Sequence, residues 1–475
     1  MGTGFLLGLY SASPVILQNV AVSCKGVLNR RARFGGSFAT ELAAANARLH
    51  QSPTALLHHQ TGQLAHFLLF AKQNAPFHAQ RLRAFSLQDL QHDPFGVLAS
   101  LPVLEKDEFR DSYNNDQLRA VPQAQIVHKT LTSGTTGTPL KAGFTKHDLQ
   151  KRFAFLYRML GCYGLSPHSR TARFNGGTYF PRANKTKVFW RINHAQRQAL
   201  LSSYHLHQDN AGYYIDFMKK LQPEVIDGYP SALYLLAKYL IRAGLQGAIK
   251  ARVFMSTGET LEDFQKAAIR EAFPQMTLLN QYASSEGAPF ITQNMAGELV
   301  VNTDSGVFEF VKPGTITPAA PGEIGEMIVT SFTTHAYPLI RYRIGDTALV
   351  SDRISKTWNM PVVDAIYGRR DDLIWTPYRG WVGRLSPAIK LAPARIRETQ
   401  IVQIAPDAFE LHVSCADAGD LARDFAPVIA ALQQRLGPVS ITLRHHADPL
   451  PRGANGKLRA VIALPSARLA AQARL

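Results

Sequence analysis

Alternating helix-like and strand-like patterns across residues 145–282 limit the possible folds of this sequence more than any other feature. Helical periodicity alternates there with short apolar runs; the helical segments are 145–161, 212–221, 231–244 and 260–273, and the strands are 250–256 and 277–282. Such alternation predicts α/β layers built on parallel strands.

The sequence on either side of this region predicts different structure. Residues 38–74 carry a helical stripe of leucine and phenylalanine, and 125–133 reads as a strand that runs into a Gly/Thr-rich loop. From about residue 297 the pattern becomes β-rich. The last part predicts a smaller α+β unit, with strands near 410–414 and 439–444 and a helix near 421–436. We therefore predict a large N-terminal domain, 1–367, and a small C-terminal domain, 368–475.

Composition narrows the class of protein. The chain has 475 residues, of which 46% are hydrophobic, so it can bury large cores and is not a disordered polymer. Its three cysteines lie far apart, which argues against a disulfide scaffold and favours a reducing, cytoplasmic setting. The net charge is +17, which suits nucleic acid, an anionic membrane, an acidic partner or a phosphorylated ligand.

The N-terminus carries apolar residues before its first cations. Residues 1–24 are uncharged, and Lys25 begins a basic stretch, the reverse of the order in a secretory signal. We expect a short helix packed on the body of the protein and no membrane-spanning segment. Peripheral contact with anionic lipid through this segment is the alternative.

The clearest chemical motif is the hydroxyl- and glycine-rich loop from Thr132 to Lys141, TSGTTGTPLK. Its bare backbone N–H groups and its hydroxyls can surround polyphosphate oxygens, although it lacks the Walker pattern and similar loops occur as plain turns. Weaker motifs follow it in the order STGE (256–259), QYASSEG (281–287), YRIGD (342–346), GRRDD (368–372) and PRGANGK (451–457). Individually, Glu286 reads as a surface acid, Asp346 as a turn carboxylate and Lys457 as a solvated tail cation.

In this order and at these distances, the motifs resemble the adenylate-forming superfamily of acyl-CoA ligases, peptide-synthetase adenylation domains and luciferases. The resemblance covers about 75–460 and is greatest to the branch of phenylacetate–CoA ligases, coenzyme F390 synthetases and CapK-like proteins. APFH (75–78), LPVLEK (101–106) and IDGYPS (226–231) support this branch. The fold implied is α/β: a large adenylation domain of layered sheets and helices with a β-rich subdomain, and a small mobile α+β domain.

The resemblance also implies roles for individual residues. The β- and γ-phosphates of ATP would be held by Thr132, Ser133, Gly134, Thr135, Thr136 and Gly137, with Lys141 nearby. The adenine and acyl pocket would be lined by Gly258 and Glu259, with Tyr282 packed on adenine. Ser285 would contact the α-phosphate and Glu286 would hold Mg²⁺. The ribose would be bound by Asp346 and Arg369. Asp371 would be the hinge, and Lys457 the catalytic lysine of adenylation.

The implied activity is ATP- and Mg²⁺-dependent activation of a carboxylic acid as acyl-AMP with release of pyrophosphate, followed by transfer to a thiol. Coenzyme A is the expected acceptor; a carrier phosphopantetheine on an acyl carrier protein, or an amine, is the alternative. Two departures leave the acceptor and the acid open. The glycines after Asp372 come late, at Gly380 and Gly383, and residues 171–208 are rich in cations and aromatics without an acid.

The basic block 171–208 has three interpretations. It is a solvated face over buried aromatics, a surface for coenzyme A or an acidic carrier, or a nucleic-acid site. The last would fit a protein of another class, a non-catalytic nucleic-acid- or membrane-associated binder with a decayed ATP site. The presence of Glu286, Asp346, Arg369 and Lys457 together argues against such decay.

Overall fold

The computed structural model describes residues 8–131, 140–175, 180, 186–258, 261, 263–370, 373–382, 385, 388, 392–393, 396, 398–415, 417–448, 450–451 and 461–464. After a helical segment at 8–12, the α-helices of this part of the chain are α1 (Val15–Phe34), α2 (Phe38–Arg48), α3 (Pro53–Asn74), α4 (Pro76–Arg81), α5 (Leu87–His92), α6 (Pro94–Ser100), α7 (Lys106–Asn114), α8 (Lys146–Gly161), α9 (Ala211–Leu221), α10 (Pro230–Arg242), α11 (Asp263–Ala272) and α12 (Leu421–Leu436). Short 3₁₀ turns lie at Gln123–Gln125, His194–Gln196, Gln208–Asn210 and Thr303–Ser305.

The strands are β1 (Ile126–Leu131), β2 (Lys141–Thr145), β3 (Thr171–Asn175), β4 (Trp190–Asn193), β5 (Gln198–Ser202), β6 (Val225–Gly228), β7 (Val253–Ser256), β8 (Thr277–Leu279), β9 (Gln281–Tyr282), β10 (Ile291–Gln293), β11 (Leu299–Val301), β12 (Gly306–Val311), β13 (Ile324–Ser331), β14 (Tyr342–Ile354), β15 (Pro361–Arg369), β16 (Ile374–Thr376), β17 (Gly380–Val382), β18 (Glu398–Ala405), β19 (Ala408–Ser414), β20 (Ser440–His446) and β21 (Val461–Ile462). No helix in the described part of the chain is both long and apolar enough to cross a bilayer.

A six-stranded sheet in the order β4-β5-β3-β6-β7-β8 forms the centre of the region predicted to be α/β. All its neighbouring strands pair in parallel except the edge strand β4, which runs antiparallel to β5. Apolar side chains of helices α9, α10 and α11 pack against the sheet in one core, represented by Tyr214, Leu236 and Ile269. The prediction of parallel α/β layers is therefore confirmed.

A seven-stranded antiparallel sheet follows, in the order β12-β13-β14-β15-β11-β10-β9. The segment 277–282, predicted to be one strand, is divided between the two sheets: β8 closes the six-stranded sheet and β9 begins the seven-stranded one. Asn280 lies at the change, and its backbone N–H is bound by the Gln293 side chain (2.9 Å). The chain therefore passes directly from the six-stranded sheet into the seven-stranded sheet, where Tyr282 lies.

The predicted helix over 38–74 is two helices, α2 and α3. Ser52 accepts a hydrogen bond from the Ala55 N–H (3.2 Å) as an N-cap, and Pro53 takes the first helical position, so a new helix begins there. The buried Asp304 binds Arg48 of α2 (2.7 Å) and Arg158 of α8 (2.8 Å), fixing these helices to the β-rich region.

The C-terminal part forms a four-stranded sheet, β20-β19-β18-β21, covered by α12. Its strand β18 was absent from the sequence prediction, because Thr399 and Gln403 are buried and mask the apolar alternation. Helix α12 and strands β19 and β20 were predicted within a few residues, whereas β21 was not predicted. This part has its own hydrophobic core, which includes Phe409 and Phe425. The boundary at residue 368 stays a prediction.

Candidate active site

Three predicted site residues, one from each of strands β9, β14 and β15 of the seven-stranded sheet, contact one another. Asp346 and Arg369 are directly opposite each other across β14 and β15. The Arg369 Nε lies 3.2 Å from Asp346 Oδ1, and the Tyr282 hydroxyl donates to Asp346 Oδ2 (2.8 Å). Tyr282 and Asp346 are buried. The two carboxylate oxygens of Asp346 are thus each held by a different strand.

The electrostatics of this group show how closely Glu286 is coupled to it. Burial raises the pKa of Asp346, and the charge of Glu286 adds to that rise, while Arg369 and the Tyr282 hydroxyl oppose it. Burial lowers the pKa of Arg369, but attraction to Asp346 and Glu286 outweighs this and raises it overall. Burial and the Asp346 charge raise the pKa of Tyr282 well above its usual range. Tyr282 is therefore a neutral donor at physiological pH.

Glu286 is 3% exposed, and its Oε1 atom has no hydrogen-bond partner in the described part of the chain. The hydroxyl of Tyr342, which is fully buried, also lacks one there. Buried polar atoms are nearly always paired in native proteins, so this carboxylate oxygen is available to a donor or a cation beyond the described residues. The expectation that Glu286 is a surface acid when considered alone is wrong.

The chemistry of this group suits a divalent cation. Glu286 and Asp346 bring two negative charges against the single positive charge of Arg369, and burial makes the excess costly without a counter-charge. Mg²⁺ is commonly held by one or two carboxylates together with substrate phosphates and water. The described residues contain no group of three or more His, Cys, Asp or Glu that could hold a metal ion.

Arg152 supports the turn that presents Glu286, and sequence reasoning missed it. It is buried in α8 and donates to the carbonyls of Gly287 and Ala288 (both 2.9 Å) and to the Thr333 hydroxyl (3.0 Å). Burial lowers its pKa to about 10, so it remains a cation at neutral pH. No local motif marks Arg152, because its partners lie far away in sequence.

Lys141 and Ser285 are two further predicted site residues that the structure describes. Lys141 is exposed at the start of β2, opposite Leu131, and so stands at the base of the hydroxyl-rich loop. The Thr130 hydroxyl donates to the carbonyl of the exposed Ser285 (2.7 Å), which joins the end of β1 to the 284–288 turn.

Gly258, two residues after β7, has a φ of +71° and packs against Tyr229. The other predicted residues lie outside the described residues, namely Thr132, Ser133, Gly134, Thr135, Thr136, Gly137, Glu259, Asp371 and Lys457.

A cavity of about 680 Å³ lies at the opposite end of the β1–β2 hairpin, beside Val127, Thr145 and His335. The His335 Nδ1 lies 2.6 Å from the buried carboxylate of Asp148, which also caps α8. None of the predicted site residues that the structure describes lines this cavity. It is a separate feature from the group around Asp346.

The basic block 171–208 is largely structural where it is described. Arg173 pairs with Asp227 of the neighbouring strand β6 (2.7 Å), and Arg191 is buried. Phe174 and Phe189 lie in the core beneath the six-stranded sheet. The acid that balances Arg173 comes from outside the block, which is why the block looks unpaired in the sequence.

Comparison with known proteins was made on sequence and on structure. The chain is 29% identical to the protein CapK of Staphylococcus aureus over 458 residues, covering 96% of this chain and 98% of CapK. It is 27% identical to the phenylacetate-coenzyme A ligase of Escherichia coli K12 over 334 residues, or 66% and 71% of the two chains. A crystal structure of 2-hydroxyisobutyryl-CoA ligase in the postadenylation state superposes with a TM-score of 0.63 at 17% identity, covering 87% and 91%. No family model matches the chain.

The fold is that of the adenylate-forming acyl-CoA ligases, which confirms the predicted fold class. Within that class, the chain is a homologue of CapK and of the phenylacetate-coenzyme A ligases. The resemblance inferred from short motifs is confirmed by the match to CapK over nearly the whole of both chains.

Proposed function

We propose that this protein activates a carboxylic acid with ATP as an acyl-AMP and then transfers the acyl group to the thiol of coenzyme A. The observation that carries the proposal is the buried Glu286 beside the Tyr282–Asp346–Arg369 group, with an Oε1 atom that has no hydrogen-bond partner among the described residues. The sequence similarity of the chain to phenylacetate-coenzyme A ligase supports the same activity. In the first step a substrate carboxylate oxygen bonds to the α-phosphorus and the bond to pyrophosphate breaks. In the second, the thiol sulfur bonds to the acyl carbon, AMP leaves and the thiol proton is lost.

The chain's own residues divide the work of binding ATP. Asp346 is fixed through single contacts at each oxygen, and a carboxylate has room for further donors, so it can accept both ribose hydroxyls. Arg369 opposes the rise that burial causes in the pKa of that carboxylate, and it adds a positive charge toward the phosphates. Tyr282 places a neutral ring in the same wall, suited to adenine.

Glu286 is the residue that would hold Mg²⁺, and Ser285 is exposed next to it for the α-phosphate. The metal would neutralise phosphate charge. By the resemblance, Thr132 to Gly137 with Lys141 bind the outer phosphates, Gly258 and Glu259 line the acyl pocket, and Lys457 acts in adenylation while Asp371 serves as hinge. These roles are part of the proposal.

ATP–pyrophosphate exchange with a panel of aryl, fatty and amino acids tests the first half-reaction. We expect Mg²⁺-dependent exchange with at least one acid. Glu286→Gln keeps the shape of the side chain, removes its charge and should lower exchange by about tenfold or more, since an electrostatic contact is lost. Glu271→Gln, at an exposed position, is the matched control. Absence of exchange with every acid would reject the proposal.

The acceptor is tested separately by supplying a pre-formed acyl-AMP of the active acid with coenzyme A, a phosphopantetheinylated carrier protein or amines. We expect coenzyme A to be used most efficiently. Preference for the carrier or for an amine would leave the proposed adenylation step unchanged and alter the proposed transfer step.

The three cysteines are free thiols, which supports the proposal of a reducing, cytoplasmic setting.

A further inference from the structure

Helix α1 (Val15–Phe34) exposes more aliphatic surface than an ordinary surface helix does. Val22 is buried against the protein, but five of its seven large aliphatic side chains face solvent with exposed fractions from 41% to 75%; they are Ile16, Leu17, Val20, Val27 and Leu28. Leu9, in the helical segment before it, is 62% exposed. A surface helix normally buries such residues against the core.

The polar side of α1 is occupied by the protein. The Asn19 side chain accepts from the Ile192 N–H (2.9 Å), and the Ser23 hydroxyl donates to the Ile192 carbonyl (3.3 Å) and accepts from the His194 N–H (3.0 Å). Ile192 belongs to β4, the edge strand of the six-stranded sheet. These contacts satisfy backbone groups that an edge strand would otherwise expose. These hydrogen bonds explain the polar side chains on the inner side of α1, but they do not explain the exposed aliphatic side chains on its outer side.

The exposed aliphatics form one continuous face. At about 100° per residue, Ile16, Val27, Val20, Leu17 and Leu28 fall within an arc of about 120°. Cys24 and Arg31 fall inside the same arc and are exposed. Scattered single apolar residues are normal on a surface, but a contiguous apolar face marks an interaction site.

The charges in and near this face indicate which kind of surface it binds. Residues 1–40 contain Lys25, Arg30, Arg31 and Arg33 and no acidic residue at all. An apolar face with cations in and beside it, and no acid in the same segment, is the pattern of helices that lie in the interface of anionic bilayers. A second copy of this chain would bring the same cations to the same face, so repulsion opposes self-association.

We propose that the exposed face of α1 docks this protein peripherally on anionic lipid membranes. The aliphatic side chains enter the boundary between headgroups and acyl chains, and Arg31, which is exposed within the same arc, meets lipid phosphates. The polar inner side keeps the helix bound to β4 during docking, so the body of the protein need not rearrange. This proposal rests on α1 alone and does not depend on the adenylation chemistry.

Vesicle sedimentation with the full-length protein tests it. We expect binding to vesicles that contain phosphatidylglycerol, little binding to pure phosphatidylcholine, and weaker binding at high salt. The triple variant Ile16→Gln, Val20→Gln and Leu28→Gln should bind about tenfold more weakly or worse, because it removes apolar area that would leave water. All three positions are exposed, and glutamine favours helix at least as well.

The matched control changes three exposed isoleucines elsewhere, Ile316→Gln, Ile354→Gln and Ile404→Gln, and should leave binding unchanged. A polarity-sensitive dye on the exposed Cys24, in a Cys162→Ala background, should shift to the blue with phosphatidylglycerol vesicles.

Three results would overturn the proposal: no vesicle binding by the unaltered protein, equal loss of binding in both triple variants, or a concentration-dependent dimer that only the α1 variant abolishes. The last would assign the face to a second copy instead.

Discussion

At the scale of single residues, the site depends on a carboxylate shared between strands. Asp346 is buried, and burial raises its pKa, while Arg369 and the Tyr282 hydroxyl oppose that rise. The motif around Asp346 could be found in the sequence, as could that of Tyr282. The hydrogen bond between them could not be found in this way, because strands β9 and β14 are distant in sequence and only the folded sheet brings the two side chains together.

Tyr282→Phe removes this hydrogen bond and leaves the ring in place. We expect the free energy of unfolding to fall by about 1–3 kcal/mol, because a buried carboxylate oxygen loses a donor. If Asp346 binds ribose, the KM for ATP should also rise about fivefold, since one positioning bond is worth about 1 kcal/mol. Urea denaturation and pyrophosphate exchange measure the two effects. Tyr204→Phe, at an exposed residue, is the control, and equal behaviour of both variants would contradict the assignment.

His78 illustrates a residue that a motif identifies for a structural reason. It lies in the APFH motif, is fully buried, and its Nε2 lies 2.9 Å from the Pro338 carbonyl. Burial, together with the nearby charge of Arg81, lowers its pKa from 6.5 to about 3. Its neutral ring therefore ties α4 to the segment that leads into β14.

Stability should consequently depend on pH through His78. The unfolded chain takes up a proton below about pH 6.5, whereas the folded protein does so only near pH 3, so acid favours unfolding between these values. The contribution is about 1.4 kcal/mol per pH unit and is fully present above pH 6.5. In His78→Gln, the free energy of unfolding should fall less steeply as the pH is lowered from 6.5 to 4.5. Denaturant titration at a series of pH values measures this slope. The exposed His92→Gln should retain the slope; a His78→Gln slope equal to that of the unaltered protein would refute this.

At the scale of elements, the turn after β9 positions Glu286, and its shape depends on Gly287. This glycine has a φ of +106°, and a Cβ there would lie 2.5 Å from Thr334 Cγ2 and 2.9 Å from a Phe144 ring carbon. Arg152 then holds the carbonyls on the far side of the turn. The glycine stood in a recognisable motif, but the need for Arg152 follows from packing between distant segments.

Gly287→Ala should destabilise the protein by about 3 kcal/mol, since both backbone strain and overpacking oppose the methyl group. Thr334→Ser removes the closest methyl and keeps the hydroxyl that binds the Ser331 carbonyl (3.0 Å), so the double variant should recover about 1 kcal/mol. Thermal and urea unfolding measure this.

Gly212→Ala is the matched control, because it lies in α9 with no atom within 4 Å of the added Cβ. It should be neutral or stabilising. Strict additivity of Gly287→Ala and Thr334→Ser would show that the methyl–methyl contact is not the cause.

At the scale of the whole molecule, the net charge of +17 has separable origins. Buried arginines such as Arg152 and Arg158 are structural, and Arg369 belongs to the candidate site. The cations of α1 flank an apolar face and fit the membrane surface proposed above. Sequence alone could identify the excess charge and the adenylate-forming fold, but not this division, because each cation takes its meaning from partners distant in the chain.

The two predicted domains lead to a test of how the whole molecule divides its chemistry. If Lys457 serves adenylation and the small domain then rotates about Asp371, Lys457→Ala should lower pyrophosphate exchange by about a hundredfold or more, because a charge at the transition state is lost. The same variant should still pass a pre-formed acyl-AMP to coenzyme A at close to the normal rate, because that step would use the other arrangement. Lys356→Ala, at an exposed lysine of the large domain, should leave both half-reactions unchanged. Equal loss of the two half-reactions in Lys457→Ala would mean that one arrangement of the domains performs both.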